Sequence, residues 1–493
     1  MNRTTVSLIA AVTALAAVTG FASLTAPDGA DGGAAKAAAR LPVERSTLLC
    51  PAPSTSDLAE TSYTSFTPEV KGSGSTGKAE VTAATRESKD GAKGKADKPV
   101  LSPKEPGKPV TGESSGAEAP ALVGTAEGSL APGWTVQQTT EIPAGITRGV
   151  LGVDCTAPDT DFWFPGASTA EERSDYVHLT NPDDSAAVVD IELYGKGGAL
   201  KSDVAEGIQV PPHSSVPVLL STLADEPQTN LTVHVTVRSG RVAAAVQAAD
   251  DKLGADWLPA SADPAGSLVL PGIPKDATAV RLVAFATGED DADVKVQLAS
   301  PNGLITPAGH ETLHVKSGMT AAVDLGDVTK GEAGSLVLTP TEDSAPFVAA
   351  LRVVRGKGSN QETAFIPATR PVGARATAAG NRAKGSTLSL VAPGKSAKVR
   401  VTASEGSEGG TAVTKTYTVK GGTTTALQAP VPSGLKGTYA LTVETVSGGP
   451  VYASRMLELP QDGIPMFTVQ TLPDDRGTVS VPTADQDLSV LQK

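Results

Sequence analysis

From about residue 160 onward, apolar and polar residues alternate in runs of five to eight, as in VDIEL (189–193) and LTVHVTV (231–237). A period of two turns one side of an extended segment toward a core and the other toward water, so each run predicts a half-buried β-strand. Gly, Asn, Asp and Ser separate the runs, as turns require. Outside the N-terminus no segment keeps the i, i+3, i+4, i+7 apolar spacing of a helix.

The pattern also repeats. Val189, Val294 and Val399 occupy like positions in AVVDIELYG, DADVKVQLAS and SAKVRVTAS, with steps of 105 and 105. Val210, Val315 and Val419, and then Val242, Phe347 and Val451, follow with steps of 105 and 104. A unit of about 105 residues with six or seven strands predicts three tandem immunoglobulin-like antiparallel β-sandwich repeats, at 161–266, 267–371 and 372–493. A propeller blade is much shorter than this unit. FWFPG (162–166) aligns with LVLPG (268–272), so the aromatic triplet reads as the opening strand of the first repeat.

The N-terminal third differs in texture. Arg3 precedes an uncharged, mostly apolar run to Leu24, which makes 1–26 a signal peptide or signal-anchor. As a helix the run would be roughly 28 Å long, enough to stay in a bilayer, so cleaved secretion and a retained anchor both remain open. Residues 27–41 read as a linker, 42–69 as an N-terminal segment with the first cysteine, 70–120 as disordered low-complexity sequence, and 121–160 as a β segment with the second cysteine. Cys50 and Cys155 are the only cysteines. In an oxidising compartment an isolated pair forms one disulfide. The body is therefore expected to be extracytoplasmic, secreted or tethered to the outer face of the cytoplasmic membrane, and to touch membrane only through the N-terminal helix if that is uncleaved.

A net charge of −13 excludes a nucleic-acid binder, which needs a clustered basic face. Among motifs, Gly72–Ala79 (GSGSTGKA) lacks the hydroxyl residue of a phosphate loop, and Gly166–Ala170 (GASTA) lacks the second glycine of a nucleophile elbow. His178, His213, His234, His310 and His314 are spread over strands and turns as ordinary side chains. The acidic turn Gly288–Asp293 does not have the spacing of a Ca²⁺ loop. No catalytic residue, cofactor or metal site is assigned. With only 8 Phe, 6 Tyr and 3 Trp in 493 residues, an aromatic-lined cleft is hard to build; Trp134 and Trp163 are the candidates for a ligand platform.

CTAPDTDFWFPGAS, VHLTNPDDSAAVVDIELYGKGG, GIQVPPHSSVPVLL and VRSGRVAAAVQAADDKLGADWLP together resemble an actinobacterial family of secreted proteins known only as a domain of unknown function. The resemblance implies secretion and a repeated β-fold, and carries no activity. This chain departs from it at His213, where glycine often follows VPP, which argues against a left-handed turn there. The expected function is a non-catalytic secreted or anchored cell-envelope protein acting as a spacer or protein-interaction module, with an envelope protein or wall polymer as partner. The alternatives are a cell-wall carbohydrate-binding protein and, third, an extracellular enzyme.

Overall fold

Strands form where the alternation places them. Ala187–Gly195 buries Val189, Ile191 and Leu193 and turns Glu192 outward, and Ala292–Ala299 and Ala397–Ala403 repeat that pattern one and two units later. The structure, a computed structural model, describes residues 39–70, 72–74, 76–84, 98–202, 204–341 and 344–481. The expected signal segment 1–26 and most of the linker 27–41 lie outside the described residues. Two units are present. The smaller holds most of a two-stranded sheet in which Ala39–Pro42 pairs with Thr478–Val481.

The larger unit, Pro42–Thr478, is all-β and holds four β-sandwiches, each with its own apolar core. Numbering the seven main strands of a sandwich in chain order, one sheet has the order 1-5-3 and the other 4-2-6-7 in all four, with short extra strands on the first sheet of the later three. Every connection but the last crosses from one sheet to the other. Immunoglobulin connectivity, which keeps the first two strands in one sheet, is therefore not the one that forms. Period-2 patterning says which face of a strand is buried and is silent about its neighbours.

The extra sandwich is the first. Arg45–Cys50, Glu60–Phe66, Gly77–Ala83, Val110–Ser115, Leu122–Gly128, Thr135–Ile142 and Gly149–Asp154 are its seven strands. Segments 42–69 and 121–160 are thus parts of one sandwich, and 70–120, expected to be disordered, supplies two of its strands. Ala79 and Val81 are buried while Lys78 faces solvent and pairs with Glu80 at 3.1 Å, so the residues resembling a phosphate loop run into an ordinary half-buried strand. Cys50, on the first strand, bonds to Cys155, just past the last. The disulfide closes the whole sandwich on itself.

The four last strands, Gly149–Asp154, Gly254–Leu258, Glu362–Pro367 and Phe467–Thr471, pack on one another in a closed circuit, first to second to third to fourth and back to first. Each is the edge of its sheet and is buried almost throughout. Asp256 sits among them, fully buried, and its Oδ1 accepts hydrogen bonds from Gly152 N at 3.1 Å and Trp257 N at 2.8 Å. Phe365 N–H and the Thr468 hydroxyl also favour its charged form, yet burial dominates and pushes its carboxyl well above the usual range. Beside it, the buried Glu362 carboxylate has Arg148 Nε at 4.0 Å and occupies space left by two glycines. A Cβ on Gly149 or Gly254 would come within 2.7 Å of Glu362 Oε1.

A second set of contacts runs around the circuit. The opening strands of the second, third and fourth sandwiches each lie against the second and sixth strands of the next: Asp161–Ala167 on Ala277–Ala286 and Phe347–Arg355, Leu268–Ile273 on Ser386–Ala392 and Tyr452–Glu458, and Ala376–Asn381 on Glu60–Phe66 and Thr135–Ile142. Small residues on both sides of the contact permit the approach. Gly272, at φ +89°, leaves no room for a Cβ beside Ser454. The junctions repeat in detail: Thr320 Oγ1 donates to Tyr194 O at 2.7 Å, and Thr424, one unit on, donates to Ala299 O at 2.7 Å. Between the fourth and first sandwiches, Arg382 pairs with Glu141 at 2.5 Å, and Val43 N–H donates to Gly477 O at 3.1 Å.

Two outcomes follow for stability. Burial raises the Glu362 pKa to about 9, so between roughly pH 4.5 and 9 the folded protein holds a proton that the unfolded chain releases, and stability falls as pH rises through that window. Glu362→Gln should flatten this slope and unfold at higher urea than the wild type at pH 8.5, with little difference near pH 4.5; Asp256, of the same sign, leaves a residual slope. Replacing both Cys50 and Cys155 by Ser opens a loop of 105 residues and should cost about 2–5 kcal/mol in urea unfolding.

Candidate functional site

Between the first and second sandwiches the corresponding junction is incompletely filled. A cavity of about 170 Å³ lies there, lined by Leu49, Pro51, Val153, Asp154 and Thr156 from the first sandwich and its exit, Phe162, His178, Thr180, Ala243, Ala244, Ala245, Pro259 and Ala260 from the second, and Gln470, Thr471 and Pro473 from the fourth. Leu49 and Pro51 flank one disulfide cysteine, Asp154 and Thr156 the other.

The register explains the gap. In the second sandwich Thr180 sits opposite Ala243 and His178 opposite Ala245. One and two units later Phe285 and Val391 stand in the place of Thr180, opposite Val348 and Tyr452, and Phe66 holds it in the first sandwich. Those apolar residues fill their junctions: Trp163 stacks on Phe285 with ring centroids 5.3 Å apart, Val391 packs with Val269, Ala299 and Val337, and Phe66 packs with Ala379 and Ala440. Thr180 is shorter and its hydroxyl lies 3.2 Å from that of Ser215. The opening strand therefore meets no bulky side chain at this point.

Several polar groups that line the cavity lack partners, as do other buried polar atoms along the chain. Both ring nitrogens of His178, Oδ1 of Asp154 and both amide atoms of Gln470 are buried without a hydrogen-bond partner among the described residues. Leaving such a group unpaired costs about 1–3 kcal/mol. Burial lowers the His178 pKa to about 4, so the imidazole is neutral at pH 7, with one donor and one acceptor nitrogen. Asp154 is raised to about 6 by burial, moderated by the charge of Arg455. That guanidinium is itself fully buried, opposite Gln470 on the neighbouring strand, and donates from Nη2 to Ala379 O at 3.3 Å. Desolvation lowers it to about 10. At neutral pH the site thus combines a neutral imidazole, a carboxamide and a carboxyl group within mainly apolar walls. It is equipped to hold a small molecule.

The residues singled out from sequence lie elsewhere. The disulfide between Cys50 and Cys155 forms. Trp134 is buried and its indole N–H donates to Ser65 Oγ at 2.8 Å, because the side chain fills space opposite Gly124 in the first core. Trp163 has His234 stacked on it at 3.6 Å, with Phe285 at 5.3 Å. Trp134 is thus enclosed in the first core, whereas Trp163 stays half-buried beside His234 and Phe285. His234 is bracketed by Glu192 at 3.0 Å and Asp161 at 2.9 Å, and His314 by Asp293 at 2.9 Å and Asp291 at 3.3 Å, so the acidic turn closes on its neighbouring strand. His213 has φ +45°. The turn after VPP does require a left-handed residue, contrary to the expectation drawn from its departure from glycine, and the His213 ring lies 2.6 Å from Asp184. Among the described residues no three His, Cys, Asp or Glu side chains are placed to hold a metal.

His178 and Gln470 were not separable from other strand residues by alternation alone. The signal that could have found them is a departure from the repeat, since Val283 and Ile366 are the apolar counterparts of His178 and Gln470. An NMR titration should find the His178 ring titrating near pH 4, well below the ordinary histidine range. By linkage His178 contributes stability that is present above about pH 6.5 and is lost as pH falls toward 4, whereas Asp154 acts in the opposite sense between about pH 4 and 6.

No curated protein matches the chain. A family model, described as a family of unknown function (DUF5719), matches residues 110–430, from the fourth strand of the first sandwich into the fourth sandwich. The match takes in more than half of the chain, and the protein is a member of that family.

Proposed function

We propose that this protein is a non-catalytic binding module that works outside the cytoplasm, secreted or tethered to the outer face of the cytoplasmic membrane by its N-terminal apolar run. The observation that carries the reading is the cavity where three sandwiches meet, whose lining includes buried polar groups with no partner among the described residues. Pockets at domain interfaces with a few placed polar groups in apolar walls are the common form of a small-ligand site. A disulfide closing 105 residues suits an oxidising compartment. No helix of the described residues is long and apolar enough to cross a membrane.

Of the expected roles, interaction is better supported than spacing, because the closed circuit of contacts holds the sandwiches against one another and leaves them no freedom to string out. The carbohydrate alternative rests on two indoles, of which Trp134 is enclosed in the first core and Trp163 is stacked by His234, and no observation favours it or the enzyme reading. The test is native mass spectrometry of the full chain, purified without denaturant from a host that exports it. A non-covalently retained species, lost on unfolding, is the expected result. A mass equal to that of the polypeptide alone, in material from both culture medium and envelope, counts against the reading.

A further inference from the structure

We propose that the junctional cavity is a preformed site for a small uncharged molecule: a compact apolar body about the size of one six-membered ring, bearing a hydroxyl or carboxamide group that both donates and accepts hydrogen bonds. This rests on the binding reading above and adds the chemical class of the guest.

Size comes first. An engineered apolar cavity of about 150 Å³ in another protein takes up benzene, and the cavity here, at about 170 Å³, admits a ring with one further heavy atom. The walls supplied by Val153, Phe162, Pro259 and the alanines match an apolar body. Polarity comes next. Neutral His178 offers one donor and one acceptor, and Gln470 offers both through its amide. Each is at least nine-tenths buried and has no partner among the described residues. A hydroxyl or carboxamide satisfies either group in both directions. Charge comes last: the cavity is lined mainly by apolar groups, with Asp154 its one acidic side chain, and a charged guest would have to give up its hydration to enter such walls.

The site is also a local exception within a repeated design. Phe66, Phe285 and Val391 close the other three junctions, and only the second sandwich has a polar residue, Thr180, at that position. Restoring the residue used elsewhere should therefore block the cavity by a substitution the architecture already tolerates.

Phenol is the probe. The full chain is titrated with phenol, benzene and cyclohexane at pH 7.5, with binding followed by ligand-observed NMR and by the shift in thermal unfolding. Saturable phenol binding with a Kd of about 1 mM or tighter, at least tenfold tighter than benzene, is expected. Thr180→Phe should abolish it without lowering the unfolding temperature, and His178→Leu should weaken phenol binding several-fold while leaving benzene binding unchanged or tighter. Phenol binding unaffected by Thr180→Phe, or no tighter than benzene, overturns the proposal. So does wild-type protein that binds none of the three, since the cavity then holds water only. If His178→Leu fails to fold, the phenol-to-benzene ratio and Thr180→Phe decide. A species retained in native mass spectrometry and displaced by Thr180→Phe, in a protein indifferent to phenol, would refute the ligand class and leave the binding reading standing; absence of both defeats both.

Discussion

Four sheet edges bury one another around the carboxyl of Asp256, and the rest of the molecule is arranged to make this possible. An exposed edge strand offers unpaired backbone groups to any passing chain, and proteins cover or disguise such edges. Here the last strand of every sandwich is that edge. Placing four of them side by side hides all four, and the mutual packing sets how the sandwiches must stand. The residues at the centre fit that duty: Gly149, Gly152 and Gly254 let the strands approach, and Asp256 and Glu362 fill what remains. Buried carboxyl groups at such a point are costly unless neutralised, and raised pKa values are the form that neutralisation takes.

From the centre outward, the same contact is made at successive junctions with different side chains. Thr320 and Thr424 make equivalent hydrogen bonds one repeat apart, while Trp163 and Val269 fill equivalent space with an indole and an isopropyl group. The junction between the first and second sandwiches uses the same geometry with smaller and more polar residues. Its cavity is thus a consequence of sequence change at one position of a repeated frame, and the frame supplies the rigidity that keeps it open. A packed surround that cannot collapse is what makes a void persist.

Much of this architecture was legible and some of it was not, for physical reasons. Alternation in segments such as VDIEL reports a strand with one wet face, and the 105-residue spacing of Val189, Val294 and Val399 reports a repeat. The first sandwich escaped notice because its third and fourth strands are built from Ala, Gly, Ser, Thr and charged residues: KAEVT alternates as cleanly as VDIEL but buries only Ala79 and Val81. Closing strands such as GADWL and ETAFIP are buried on both faces, so they carry no alternation to read. Trp163 looked like a platform because sequence does not show that His234 lies on the facing strand. His178 is the sharper case, since its position on a regular strand said that one face was buried and nothing said that the neighbour across the junction would stop short.

The meeting of Val43 and Gly477 has a mechanical side. Because the two ends of the larger unit leave next to each other, tension applied between them is concentrated on the contact between the fourth and first sandwiches. The load falls on those bonds in sequence, as in opening a clasp, and not on all of them at once. The Cys50–Cys155 bond lies within the first sandwich, so pulling would part the clasp while leaving that sandwich's own closure covalently intact.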